Sequence, residues 1–129
     1  MGGTKIVTTF YIAGFGFRSS ATYESLNNAY QKAAKDFAIN ALAGPADKCA
    51  HPALQALAKQ LQLPLSEIDE DDLKGKVTPT NSEASFAARG TGSVAEACAL
   101  IAAGANSHLC GEREISEDRL AVCAIAERR

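Results

Sequence analysis

Two segments of this chain join glycines to a helix start in the way that an anion site requires. In Gly14-Phe-Gly-Phe-Arg-Ser-Ser20 the glycines let the backbone turn tightly and approach a ligand, while Arg18 offers a forked guanidinium to a carboxylate or phosphate. In Gly90-Thr-Gly-Ser-Val94 the same logic recurs with two hydroxyls added. Amides at the start of a following helix point at such a ligand, and the helix dipole favours its negative charge. Neither segment is a nucleotide fingerprint. Position 19 is Ser, so Gly14-x-Gly16 lacks the third glycine of a dinucleotide loop, and no G-x-x-x-x-G-K-[ST] occurs. On residue types alone each segment is either a structural turn or a ligand site. The candidate contacts are Gly14, Phe15, Gly16, Arg18 and Ser19 from the first, and Thr91, Gly92, Ser93 and Val94 from the second. Lys48, in the loop between them, is a carboxylate partner or proton donor.

Other chemistry has weaker support. Only His51 and His108 could serve as the base of a nucleophilic pair, and His51 precedes Pro52, where an imidazole can cap a helix. Cys49, Cys98, Cys110 and Cys123 form no C-x-x-C and read as small hydrophobes of a reducing compartment. Cys49-x-His51 and His108-x-Cys110 could together hold a tetrahedral zinc, but that spacing is tighter than structural zinc uses, so no metal is assigned. The acidic run Asp69 to Asp72 reads as a solvated face rather than a metal site.

The elements that must position these groups alternate. Thr4 to Phe15 reads as strand followed by a glycine turn, and the next helix carries Leu26, Ala29, Tyr30, Ala33, Ala34 and Phe37 on one face with Ser19 or Ser20 as its cap. A second strand is expected at Phe37–Leu42 and a helix from Pro52, with Leu54, Leu57, Ala58 and Leu61 inward. A third strand follows from Leu63 to Ile68, then a helical turn through Leu73. Thr80-x-x-Glu83 and Ser93-x-x-Glu96 both fit capping boxes, opening helices that end at Gly90 and Gly104. His108–Cys110 and Leu120–Ile125 read as closing strands, with Ser116–Arg119 making a hairpin or meander at the sheet edge. The expected fold is α/β, a three-layer αβα sandwich with a mainly parallel sheet and an antiparallel strand or hairpin at the C-terminal end. Both glycine turns would then lie at the carboxyl ends of strands, where open α/β sheets bind ligands.

Composition sets the outer limits. A chain of 129 residues with 47% hydrophobic content forms one domain, residues 1–129, with a single core. A net charge of -2 leaves no basic stripe for nucleic acid. No apolar run suits a membrane span, and the amino terminus lacks the regions of a signal peptide, so a cytoplasmic protein is expected.

Four segments taken together carry a family resemblance. "GFGFRSSATYESL", "PADKCAHPALQALAKQLQLPL", "TPTNSEASFAARGTGSVAEACAL" and "LAVCAIAE" resemble, almost end to end, the family of CobE and the carboxyl-terminal domain of CbiG from cobalamin biosynthesis. The family's pattern falls on Gly14, Gly16, Arg18, Lys48, Ser82, Glu83, Gly90, Ser93, Ala95 and Glu96. One departure is that the family tends to place a lysine soon after the strand at Leu109, where this chain has Cys110-Gly-Glu-Arg113; Arg113 is the available substitute. The resemblance implies work on, or alongside, the corrin-ring precursors of vitamin B12. CbiG-type proteins open the lactone of cobalt-precorrin-5A and release acetaldehyde, whereas a free-standing CobE-like protein matches the carboxyl-terminal domain alone, as this chain does. The expected function is therefore to bind a polycarboxylate corrinoid or precorrin intermediate, as carrier or accessory in the aerobic pathway. The alternatives are a hydrolase acting on such an intermediate and a structural partner of another cobalamin-pathway enzyme. No cofactor is implied. Phe15 and Phe17 are candidates for an apolar floor under the macrocycle, while Glu83 and Glu96 go to the capping boxes because carboxylates would repel this ligand.

Overall fold

A computed structural model describes residues 9–129; the expected beginning of the first strand, Thr4 to Thr8, lies outside the described residues. The strands are β1 (Phe10–Phe17), β2 (Ala41–Pro45), β3 (Leu65–Ile68), β4 (His108–Leu109), β5 (Glu114–Ile115) and β6 (Ala121–Arg128). The helices are α1 (Tyr23–Ala34), α2 (Pro52–Leu61), α3 (Glu70–Leu73), α4 (Glu83–Arg89) and α5 (Val94–Ala103). β1, β2 and β3 run parallel, joined through α1 and α2, because a parallel step needs a crossover rather than a tight turn. The chain then returns antiparallel. β6 pairs with β1 along its whole length, and β4 and β5 pair with β6, giving the order β3-β2-β1-β6-β4 with β5 beside β6. The sheet is mixed, with parallel core strands and antiparallel C-terminal ones, as the expected fold class requires.

Two apolar clusters sandwich the sheet. Ala13, Phe15, Leu42, Cys123 and Ile125 face α1 and α2, while Ile12, Ala41, Ala43 and Ala126 face α5. The period-2 alternation of strand side chains assigns neighbours to opposite faces. On the α5 side most of the buried residues are small, and α5 itself is apolar apart from Glu96, as suits a helix largely enclosed by protein. That smallness lets the helix come very close.

Gly14 shows how close. A Cβ placed there would strike the carbonyl oxygen of Ala95 and lie 2.5 Å from the Ala99 nitrogen. The sequence expectation of a glycine turn at Gly14–Gly16 is therefore corrected. Both glycines are inside β1, the ladder with β6 continues to Phe17, and the turn starts only at Arg18. A glycine within a strand marks close backbone approach, and here the approaching backbone is α5.

Other boundaries shift for local reasons. Thr22, not Ser19 or Ser20, caps α1 in a reciprocal box with Ser25, and Phe37 lies beyond the helix end. β2 begins at Ala41 rather than Phe37, after the Asn40 side chain and backbone have paired with Tyr11. Ser82 rather than Thr80 caps α4, and Gly90 ends it with a positive φ of 74°.

Candidate functional site

Beyond the carboxyl ends of β1 and β2, beside the start of α5, the surface is hollowed. Two adjoining cavities of about 440 and 370 Å3 share Gly16, Phe17, Arg18 and Val94. Arg113 and Arg119 line the first, Lys48 and Arg89 line the second, and Arg18 stands between them. Among the described residues no carboxylate lines either cavity. Five of the thirteen Lys and Arg residues of a chain with net charge -2 thus meet at one crevice. Glu96 and Glu112 border a neighbouring cavity of about 550 Å3, which Arg113 also touches.

The Arg18 backbone and the Lys48 and Arg89 side chains are held in place. The Arg18 turn is closed by Arg18 N–H donating to Leu120 O at 2.9 Å and Ala21 N–H donating back to Arg18 O at 2.9 Å. Lys48 Nζ donates to Ser19 Oγ at 3.0 Å and lies 5.3 Å from the centre of the Phe17 ring, a cation–π contact. Arg89 forms an ion pair with the exposed Asp47 at 2.9 Å, and the hydrogen bond from that guanidinium holds the Asp47 carboxyl below the usual range. Phe17 meets His51 edge-on, with ring centroids 5.2 Å apart.

His51 has a structural assignment. Its Nδ1 accepts from Ala53 N–H at 3.1 Å, capping α2, so the proton sits on Nε2 and is donated to Ser19 O at 2.8 Å. The imidazole thereby latches the Arg18–Ser20 turn to α2. His108 pairs with Glu127 across β4 and β6. Among the described residues neither imidazole is hydrogen-bonded to a serine hydroxyl or a thiol.

The sequence-derived candidates divide cleanly. Gly16, Arg18, Ser19, Lys48 and Val94 come together at the crevice. Phe17 lines it, but Phe15 is wholly buried on the α1 side with its ring 6.4 Å from that of Tyr30. Gly14 lies beneath α5. Thr91 is buried and donates to Lys76 O at 2.6 Å. A Cβ at Gly92 would come within 2.9 Å of Asn81 Oδ1 and Thr78 Oγ1. Ser93, also buried, caps α5 by accepting from Glu96 N–H at 3.4 Å. The second glycine segment therefore packs a loop, and only Val94 reaches the crevice.

The expected box at Ser93–Glu96 is half formed, and the one at Thr80–Glu83 is absent, for a single reason. The buried Glu96 carboxylate turns away from the Ser93 amide and accepts from Thr80 N–H at 3.0 Å and Thr80 Oγ at 3.1 Å. Thr80 is thus held by Glu96 instead of capping α4. This clamp ties the segment before α4 to the start of α5.

Sequence reasoning missed Arg89 and Arg119 and gave Arg113 only as a substitute. The three come from a helix end and a hairpin, and only the folded topology brings them beside Arg18. The cysteines carry no reactive signature: burial, chiefly, pushes Cys49 and Cys110 up to about 11, and Cys98 and Cys123 further still. Cys49 and His51 lie just before α2 while His108 and Cys110 lie at β4, and among the described residues no three His, Cys, Asp or Glu side chains form a metal group.

The fold and this crevice define a class: an α/β domain with a mixed sheet and a hollow, beyond the carboxyl ends of β1 and β2, lined by cations and backbone. Comparison with known proteins narrows the class. The family described as cobalamin synthesis G C-terminus matches residues 11–126, and the chain belongs to that family of cobalamin biosynthesis proteins. It is similar to the crystal structure of CobE, a protein from the cobalamin (vitamin B12) biosynthetic pathway, with a TM-score of 0.83 and 24% identity over 99% of this chain and 96% of that one. It is also similar to cobalamin biosynthesis protein chiG from Agrobacterium tumefaciens str. C58, with a TM-score of 0.70 and 29% identity over 90% of this chain and 96% of that one. No curated protein sequence matches the chain.

Proposed function

We propose that this protein binds a polycarboxylate corrinoid or precorrin intermediate in the crevice between β1, α5 and the β5–β6 turn, as a carrier or accessory of the aerobic pathway. The observation that carries this reading is the charge of the lining. Arg18, Lys48, Arg89, Arg113 and Arg119 border the two joined cavities, and among the described residues no carboxylate does. Corrinoid precursors present acetates and propionates around an apolar macrocycle. Arginine forks pair with carboxylates in two-point contacts, and the start of α5 adds its dipole. Phe17, half-buried at the crevice wall, supplies aromatic surface for the ring. Binding rather than catalysis is favoured because both histidines are committed elsewhere, His51 to a helix cap and His108 to Glu127.

An absorbance titration with dicyanocobyrinic acid, a corrin with free carboxylates, tests the reading. Micromolar binding that weakens about ten-fold in Arg18→Ala, the loss of roughly one charge-assisted contact, supports it. Absence of binding by the unmodified protein refutes it. Conversion of a precorrin by the isolated protein would replace a carrier with an enzyme.

A further inference from the structure

The β5–β6 hairpin presents a charged turn that holds none of the family-pattern residues named above. Arg119 has φ of 63°, in the left-handed region where glycine and asparagine are at ease and a long side chain is not. An arginine at that position has a backbone cost and, among the described residues, no salt-bridge partner to offset it. Its side chain borders the crevice together with Arg113, which stands just before β5.

The turn is fixed by its neighbour. Asp118 Oδ1 accepts from Ser116 Oγ at 2.6 Å and from Leu120 N–H at 3.1 Å, and Oδ2 accepts from Ser25 Oγ at 2.5 Å. Ser116 Oγ in turn accepts from Ala121 N–H at 3.0 Å, and Arg119 N–H donates to Ser116 O at 2.9 Å. Ser25 belongs to the capping box of α1, so the hairpin turn is anchored to the helix that follows the Arg18 turn. The Asp118 carboxylate is spent on these donors and does not line the crevice beside Arg119.

We infer that Arg113 and Arg119 form a second carboxylate-reading wall, facing ligand groups on the opposite side from those at Lys48 and Arg89, and that Asp118 is the positioning residue which aims it. This rests on the corrinoid reading above and adds a specificity rule. The crevice selects corrinoids whose side chains are still free acids over those already amidated, because charge-assisted contacts on two walls are lost together when the acids become amides.

The test compares dicyanocobyrinic acid, with free acids, and dicyanocobinamide, with amidated side chains, as ligands of four proteins. Arg119→Gly suits the left-handed turn and so keeps the fold; Arg113→Ala and Asp118→Asn accompany it and the unmodified chain. The unmodified protein is expected to prefer the free acid by at least one hundred-fold, from roughly ten-fold per lost charge-assisted contact. Arg119→Gly and Arg113→Ala should each weaken the free acid about ten-fold and leave the amidated corrin within two-fold. Asp118→Asn should reproduce the Arg119→Gly selectivity, a split that general loosening of the turn would not produce. If the unmodified protein binds the acid and these variants match it, or weaken both ligands equally, the second wall is overturned while the binding reading stands. If the unmodified protein binds neither ligand, both fall.

Discussion

Replacing Gly14 by Ala tests the packing that places the start of α5 at the crevice. The strand backbone there accommodates any residue, so the whole effect comes from one methyl group. That methyl would overlap the Ala95 carbonyl oxygen, approach the Ala99 nitrogen to 2.5 Å and the Ala99 Cβ to 2.9 Å. Two of these three are backbone atoms of a helix, which cannot yield by rotating a side chain. The helix as a body must move. Overpacking of this kind costs about 3 kcal/mol, and the lower unfolded-state entropy of alanine returns about 0.7 kcal/mol. The net loss is about 2 kcal/mol, or roughly 8 °C in melting temperature for a domain of this size. Thermal unfolding followed by circular dichroism reads it directly. The same substitution at Gly111, where nothing lies within 4 Å of the added Cβ, meets only the left-handed backbone penalty of about 1 kcal/mol. A Gly14→Ala protein that melts within 2 °C or so of the parent, about 0.5 kcal/mol, would refute the close approach of α5 to β1.

Further outcomes follow from other parts of the molecule. Glu96→Ala should lose about 2 kcal/mol in urea unfolding, because it orphans the Thr80 amide and hydroxyl, whereas Thr80→Ala should lose only about 1 kcal/mol. Arg119→Gly should stay within about 0.5 kcal/mol of the parent in stability, since relief of the left-handed backbone offsets the entropy cost of glycine. Asp118, held below the usual carboxylate range by Ser116 first and then Ser25, adds stability that is complete above its unfolded value and is lost as pH falls through its folded one. An Asp118→Asn protein should therefore lose less stability than the parent as pH falls below about 5 in acid unfolding. With Cys49 and Cys110 at about 11 and the other two thiols higher, iodoacetamide at neutral pH should label the folded protein far more slowly than the urea-unfolded one, by mass spectrometry.

Much of this architecture is legible in the sequence because it is local. The three-to-four spacing from Leu26 to Ala34 specifies α1, Pro52 after His51 marks the start of α2, and Gly90 and Gly104 end their helices. What local pattern cannot carry is where a side chain goes once the chain has folded back. Glu96 has the spacing of a capping box, yet Thr80 competes for its carboxylate and wins both oxygens. Gly14-x-Gly16 has the look of a turn, but the glycines answer to a helix that begins about eighty residues later, at Val94. For the site the same division holds. Arg18 and Lys48 announce themselves by their place beside glycine turns and helix starts. Arg89, Arg113 and Arg119 become neighbours only through the antiparallel return of β6 and the course of α4.

We place the proposed polycarboxylate corrin in the crevice between β1, α5 and the β5–β6 turn. Amide chemical-shift mapping during a titration with diamagnetic dicyanocobyrinic acid locates the bound ligand residue by residue. The largest shifts should fall on Gly16 to Ser19, on Val94 and Ala95, and on Arg113 and Arg119. Shifts centred elsewhere, for instance on α3 and the outer face of α2, or no shifts at saturating ligand, would contradict this placement.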